Sequence, residues 1–323
     1  MAKCFSITKS RDLCYRYSFA NAGLKSISTD LGDGTIIHCW VPKTHKPDKP
    51  TLLLIHGFGA NAMWQWNELL RPFVNKFNLY VPDLVFFGES YTTRSDRSES
   101  FQAQCIMRFM ETRGVKKMNL IGMSYGGFVG YSLAAQFKDV VERVVICCAG
   151  VCLEEKDLNE GLFKVDNIDE ALSILLPQTP DKLKLLMQMS FAKPVKPLPS
   201  CFLRDFIDVM CTEYVQEKKE LVQALLNDRK LSDLPRIPQP TLIIWGDQDQ
   251  IFPLELAYRL KNHLGENAEL VVINHAGHAV AMEKAKEFYK HLRTFLIDSR
   301  TFLIDSIPHP SPSLLNGHNN KKD

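Results

Sequence analysis

Residues 118–130 read Met-Asn-Leu-Ile-Gly-Met-Ser-Tyr-Gly-Gly-Phe-Val-Gly, an apolar run that breaks at a serine flanked by Gly122 and Gly126 and resumes as a helical stretch. A strand that turns into a helix within a residue forces Ser124 into strained backbone. It also leaves no room for side chains two residues away, which is why glycine suits both places. The helix that opens at Tyr125 aims its first amides at any negative charge developing beside Ser124. The pentapeptide alone carries little weight, since chance yields on the order of 0.1 such matches in a chain of this length. Its meaning depends on an acid, a histidine and an oxyanion site following in the right places.

The surrounding pattern supplies a scaffold for such a turn. Leu24–Leu31 and Thr35–Val41 flank Gly32-Asp33-Gly34, a hairpin signature. Strands are then expected at Thr51–His56, Asn78–Val81, Met118–Gly122, Arg143–Cys148, Thr241–Trp245 and Glu269–Ile273. Helices are expected near Met63–Asn75, Glu99–Thr112, Tyr125–Phe137 and Leu254–Leu264. A hairpin followed by strand–helix repeats predicts an α/β fold with a mostly parallel sheet covered on both faces. The alternation stops between Val151 and Pro240, where only helical segments appear, near Ile168–Leu176, Asp181–Met189 and Cys201–Asn227. The division expected is an N-terminal segment (1–23), a core (24–150 and 236–298), a helical lid (151–235) and a tail (299–323). The heptad Arg293–Ser299 is repeated as Arg300–Ser306, and the residues beyond it are rich in Pro, Ser, Asn and Lys, a composition that predicts disorder.

Composition narrows the function classes. At 323 residues, with 45% hydrophobic and 24% charged residues, the chain has ample material for a sizeable core. A formal charge of +2 with no basic stripe argues against a nucleic-acid partner. No apolar run approaches the roughly 20 residues that span a bilayer, and no apolar h-region marks a secretory signal. Lys3, Lys9 and Arg11 precede the first acid, Asp12, in weak resemblance to an organelle transit segment, but a cytoplasmic location is the expectation. The nine cysteines, an odd number with Cys39, Cys147 and Cys148 in apolar runs, read as reduced core thiols. Neither paired Cys-x-x-Cys nor His-Glu-x-x-His occurs, so no metal is expected. No Gly-x-Gly-x-x-Gly follows a strand, so no dinucleotide cofactor is expected either.

Two further loops complete a possible hydrolase. Gly246-Asp247-Gln248-Asp249 follows one expected strand and Asn274-His275-Ala276-Gly277-His278 follows the last. The C-terminal ends of parallel strands converge on one sheet edge, so an acid and a histidine from these loops can meet Ser124. The residues themselves leave Asp247 or Asp249, and His275 or His278, open.

The order Ser…Asp…His, with His56-Gly57-Phe58-Gly59 after an early strand, resembles the α/β-hydrolase fold superfamily over residues 25–297. Pro82-Asp83-Leu84 and Gly88-Glu89-Ser90 match a further family turn, although Phe87 stands where many members have glycine. The flavour is the lidded branch of acylglycerol lipases, esterases and carbon–carbon bond hydrolases, with wording similar to plant members. The resemblance implies an eight-stranded sheet, Ser124 as nucleophile, His278 as base, Asp249 as the acid and the amides of Phe58 and Tyr125 as oxyanion hole. It also makes Asp247 a turn cap, His275 a rim residue and His56 a structural histidine. Trp64 and Trp66 read as core residues, with the acyl pocket as their other reading.

Serine at the elbow points to acyl transfer. Leu185, Leu186, Met187, Met189, Phe191, Phe202, Leu203, Phe206 and Met210 give the lid an adaptable apolar character. The expectation is a carboxylic-ester hydrolase for a small lipophilic ester of monoacylglycerol or similar type, with room for peripheral membrane contact. Its alternatives are a carbon–carbon bond hydrolase and a slow-turnover receptor for a small molecule.

Overall fold

The computed structural model describes residues 6–165 and 167–298. The duplicated heptad beyond Asp298 and the tail lie outside them. The first described element is helix α1 (Ile7–Asn21), within the segment for which the sequence predicts no element. Ser6 caps it by accepting the Lys9 N–H, and Gly23 at φ +86° turns the chain into the sheet. Its pattern is hard to see because apolar residues fall on both sides. Phe19 is buried while Leu13 and Tyr17 face solvent.

Strands β1 (Leu24–Asp30) and β2 (Thr35–Pro42) pair antiparallel around the expected Gly32-Asp33-Gly34 turn, both of whose glycines have positive φ. Then follow β3 (Thr51–Ile55), the short helices α2 (Ala62–Trp66) and α3 (Leu70–Val74), β4 (Asn78–Pro82) and the two-residue β5 (Tyr91–Thr92). Where one helix was expected over 63–75, two are found. Pro72 lacks the N–H that would continue the hydrogen-bond ladder, and a 3-10 turn at Asn67–Leu69 precedes the restart. Helix α4 (Glu99–Thr112), β6 (Met118–Met123), α5 (Tyr125–Gln136) and β7 (Val141–Cys147) complete the first part of the sheet.

Five helices intervene before the next strand: α6 (Lys156–Asn159), α7 (Ile168–Leu175), α8 (Pro180–Ser190), α9 (Ser200–Met210) and α10 (Val215–Leu226). The single segment expected over 201–227 is broken at Tyr214, which adopts left-handed backbone. The chain ends with β8 (Thr241–Gly246), α11 (Glu255–Leu264), β9 (Ala268–Ile273), α12 (Val280–Glu283) and α13 (Ala285–Arg293).

The sheet runs β1-β2-β4-β3-β6-β7-β8-β9, parallel from β4 to β9. The small β5 pairs with β2, adding a ninth strand to the eight expected. Strands β3, β4, β6 and β8 are buried along their whole length, as a sheet covered by helices on both faces requires. The C-terminal ends of β6, β8 and β9 thereby share one edge. Helices α7 and α10 contribute Leu172, Leu221, Val222, Leu225 and Leu226 to the main core. Helices α8 and α9 instead share a small core of their own, built from Leu183, Leu203, Ile207 and Cys211. No helix among the described residues is long and apolar enough to cross a membrane.

Candidate active site

Ser124 stands between β6 and α5 at φ +53°, ψ −124°, a conformation that costs a non-glycine residue energy. Packing around it holds the turn. A Cβ at Gly122 would overlap the Gly126 carbonyl, and one at Gly126 would overlap the carbonyls of Ile55 and His56. The Ser124 N–H is tied to the Cys147 carbonyl of the adjacent strand at 2.8 Å.

The Ser124 Oγ lies 2.9 Å from His278 Nε2. His278 Nδ1 lies 2.9 Å from Asp249 Oδ2. Asp249 is itself fixed, because its Oδ1 accepts the N–H groups of Ile251 and Phe252, each at 2.9 Å. With its carboxylate held by two backbone donors, Asp249 orients the ring so that Nδ1 carries the proton and Nε2 is free to accept one from the serine. Such a chain can move a proton between hydroxyl and imidazole and stabilise the cation that results.

The rival residues stand elsewhere. Asp247 accepts the Ala276 N–H at 3.1 Å, the work of a turn cap. His275 is exposed at φ +56° on the approach to the last loop.

The loop after β3 packs directly on the serine. A Cβ on Gly57 would come within 2.8 Å of Ser124 Cβ. Buried His56 holds this loop: Nδ1 donates to Gly57 O at 2.7 Å and Nε2 accepts the Leu84 N–H at 2.9 Å. Burial pushes its pKa below the ordinary value, so the ring is neutral, as that pattern of one donor and one acceptor demands. Gln65 accepts the Gly57 N–H at 2.6 Å. Asp83 accepts the Ala62 N–H at 2.8 Å, with His38 Nδ1 at 2.7 Å from its other oxygen. No described residue accepts the Phe58 N–H, and Tyr125 is the first residue of α5, whose amide the helix does not use. The Phe58 ring packs edge-on against both Tyr125 and Phe87. Phe87, where glycine is common in the family, therefore fills space behind the loop.

Three further groups position these loops: Asp83 and Glu283 fall in stretches that resemble the family pattern, and Gln65 has no sequence signal of its own. Glu283 on α12 accepts the Gly277 N–H at 2.7 Å, just ahead of His278, and also those of Ala192 and Lys193 after α8. Gln65 and Asp83 hold the Phe58 loop in the same way.

Ser124 opens onto a cleft enclosing about 800 Å³, part of it open to solvent. Its walls are Phe58, Tyr125, Phe128, Phe252 and the inner faces of α7 and α10, with Met189 from α8. Of the lid residues singled out in the sequence, only Met189 lines it. Leu203 and its neighbours are occupied in the separate α8–α9 core, while Phe163, Ile174, Leu175, Val222, Leu225 and Leu226 form the wall instead. Trp66 is fully buried, and Trp64 packs on Tyr15 and Phe206, so neither faces the cleft.

Residues 50–285 match the family model of the alpha/beta hydrolase fold. The chain belongs to the α/β-hydrolase fold family. Within that family it is 28% identical over 271 residues to monoacylglycerol lipase ABHD6 of Mus musculus, covering 80% of this chain and 79% of that one. The Bos taurus protein of the same name is 27% identical over 271 residues, with 80% and 78% covered. Among solved structures, a putative lipase (lip1) from Acinetobacter baumannii AYE superposes with a TM-score of 0.77 at 25% identity, covering 94% of this chain and all of that one. A 2-hydroxy-6-oxo-6-phenylhexa-2,4-dienoate hydrolase from Rhodococcus shares the fold, with a TM-score of 0.67 at 21% identity over 84% of this chain and 98% of that one. Membership of this family makes the protein a hydrolase by fold and kin.

Proposed function

We propose that this α/β hydrolase cleaves small lipophilic carboxylic esters of the monoacylglycerol type through an acyl-enzyme. The observation that carries the reading is the Ser124–His278–Asp249 hydrogen-bond chain opening onto an almost wholly apolar cleft. A cleft of this size suits a single acyl chain with a small polar head. The names of the ABHD6 relatives support the same substrate class.

In this mechanism Ser124 Oγ attacks the ester carbonyl as its proton passes to His278 Nε2. The oxyanion is met by the amides of Phe58 and Tyr125. His278 then returns the proton to the departing alcohol and next draws one from water, whose oxygen releases the acid and restores the serine. Asp249 keeps its charge and balances the imidazolium throughout. Residues 24–150 and 236–298 form the catalytic core, residues 1–23 precede it, and residues 151–235 act as a lid whose α7 and α10 bind the acyl chain. The described cysteines are all free, which supports a reducing compartment such as the cytoplasm.

The test is a chain-length series of p-nitrophenyl esters, run beside fluorophosphonate labelling on wild type and Ser124→Ala. Turnover with a preferred length and labelling at Ser124 alone are expected. Inactivity on every ester with turnover of a vinylogous diketone would replace the reading with carbon–carbon hydrolysis. Ligand-induced thermal stabilisation without turnover of either would replace it with a receptor.

A further inference from the structure

One thiol beside the relay has no part in the chemistry above. Cys148 follows the end of β7, is fully buried, and takes a φ of +45°, in the left-handed region that few non-glycine residues occupy. Its Sγ lies with an Asp249 carboxylate oxygen and a His278 ring nitrogen in a group whose atoms are all within 4.8 Å of one another. Among the described residues it is the one trio of potential metal ligands so placed. His278 faces Asp249 through Nδ1.

Thiolate, imidazole and carboxylate are a donor set that Zn²⁺ accepts, and the sulfur also suits other thiophilic ions. A tetrahedral zinc ion draws such ligand atoms to roughly 3.5 Å apart, so closing the trio calls for side-chain shifts on the order of 1 Å. Charge favours the closure. One thiolate and one carboxylate neutralise a divalent cation completely, where an unbalanced charge in this buried place would be costly.

We propose that Cys148, Asp249 and His278 form an inhibitory site for a thiophilic divalent cation, with Zn²⁺ as the type ion. The bonds formed are metal to Cys148 Sγ, to an Asp249 oxygen and to His278 Nδ1. The thiol proton leaves to solvent, and the imidazole proton moves from Nδ1 to Nε2. With Nε2 now a donor facing Ser124, the ring has no lone pair with which to take the serine proton. The thiol is sealed behind the relay, so the ion enters through the His278 side of the cleft and inhibition develops slowly. The inhibitory consequence rests on the proposed esterase reading; the binding of the ion does not.

The experiment separates the two. Zinc is titrated, in chelator-buffered solutions, against ester turnover by wild type, Cys148→Ala, Cys148→Ser and Cys147→Ala, each compared with its own zinc-free rate. Slow inhibition reversed by EDTA is expected for wild type and Cys147→Ala, with at least tenfold weaker sensitivity in Cys148→Ala. In parallel, Cd²⁺ is added to Ser124→Ala, and to the same protein also carrying Cys148→Ser, while the ultraviolet thiolate-to-cadmium band is followed. A stoichiometric band that depends on Cys148 supports the site even if no ester is turned over. Equal zinc sensitivity in wild type and both Cys148 variants, or a cadmium band undiminished by Cys148→Ser, overturns it.

Discussion

Replacing Asp249 with asparagine isolates what the relay's acid does, because the change keeps shape and removes charge. In the native site Oδ1 accepts two backbone N–H groups, from Ile251 and Phe252, and Oδ2 faces His278 Nδ1. An asparagine that keeps its oxygen under the two amides must present its NH₂ to the imidazole. His278 can meet a donor only with a bare Nδ1, which places its proton on Nε2 and points it at Ser124 as a second donor. The base is then in the wrong tautomer. Turning the amide over to rescue the tautomer points NH₂ at the two half-buried N–H groups. That loses two hydrogen bonds, at a cost of about 1–3 kcal/mol for each group left unsatisfied.

Rescuing the tautomer by that flip costs about 2–6 kcal/mol, and the lost charge on the imidazolium adds to it. With 1.36 kcal/mol per factor of ten, a fall in kcat of about 30-fold to 3×10⁴-fold is expected. The assay is kcat and KM on a short p-nitrophenyl ester, with circular dichroism and thermal melting to verify the fold. Asp247→Asn is the control, since it loses at most one hydrogen bond to Ala276 and should stay within about threefold of wild type. Retention of a tenth of the activity by Asp249→Asn, or equal damage from Asp247→Asn, would refute the assignment.

Other outcomes follow from neighbouring features. Gly126→Ala drives a Cβ into the fixed carbonyls of Ile55 and His56 and should cost more than about 3 kcal/mol in urea unfolding. Gly114→Ala meets open space and should cost only the left-handed penalty of about 1–2 kcal/mol. Burial lowers the His56 pKa below its ordinary 6.5, so the unfolded chain binds the proton first as pH falls. This contribution to stability is complete above pH 6.5 and is lost as pH drops toward the folded value, by up to about 1.4 kcal/mol per pH unit. His56→Gln should flatten that slope between pH 7 and 5 in urea titrations, where Asp83, with a pKa held below 3.8, stays ionised in both states. Ala171→Phe fills the α7 wall of the cleft and should shift the ester series toward shorter acyl chains with little change in thermal stability.

Local chemistry makes much of this molecule legible in its sequence. The elbow is legible because steric exclusion at Gly122 and Gly126 leaves a compositional mark. The meeting of Ser124, Asp249 and His278 is legible because parallel strands send their following loops to one edge. What escaped was decided by tertiary contacts. Helix α1 hides because Leu13 and Tyr17 face water while Phe19 is buried, so no stripe stands out. The cleft wall is not legible in the sequence because Met and Phe content does not say which helix turns toward the serine. Helices α8 and α9 turn Met187, Phe206 and Met210 toward a small core of their own, and only Met189 reaches the cleft. Gln65 acts on the Phe58 loop through one hydrogen bond to the Gly57 amide, and a lone polar residue leaves no periodic trace.

The private core of α8 and α9 gives the molecule two tiers of cooperativity. Four side chains bury far less surface than the sheet, so this pair should exchange its amide hydrogens, and yield to protease, well before β3 or β6 does. Its polar ties to the remainder include Glu283, whose carboxylate also grips Gly277 beside the relay histidine. Opening the pair would therefore loosen the histidine's loop while the strained serine, locked in the sheet, keeps its geometry. The site would thus idle and recover as the pair breathes, with its nucleophile always set.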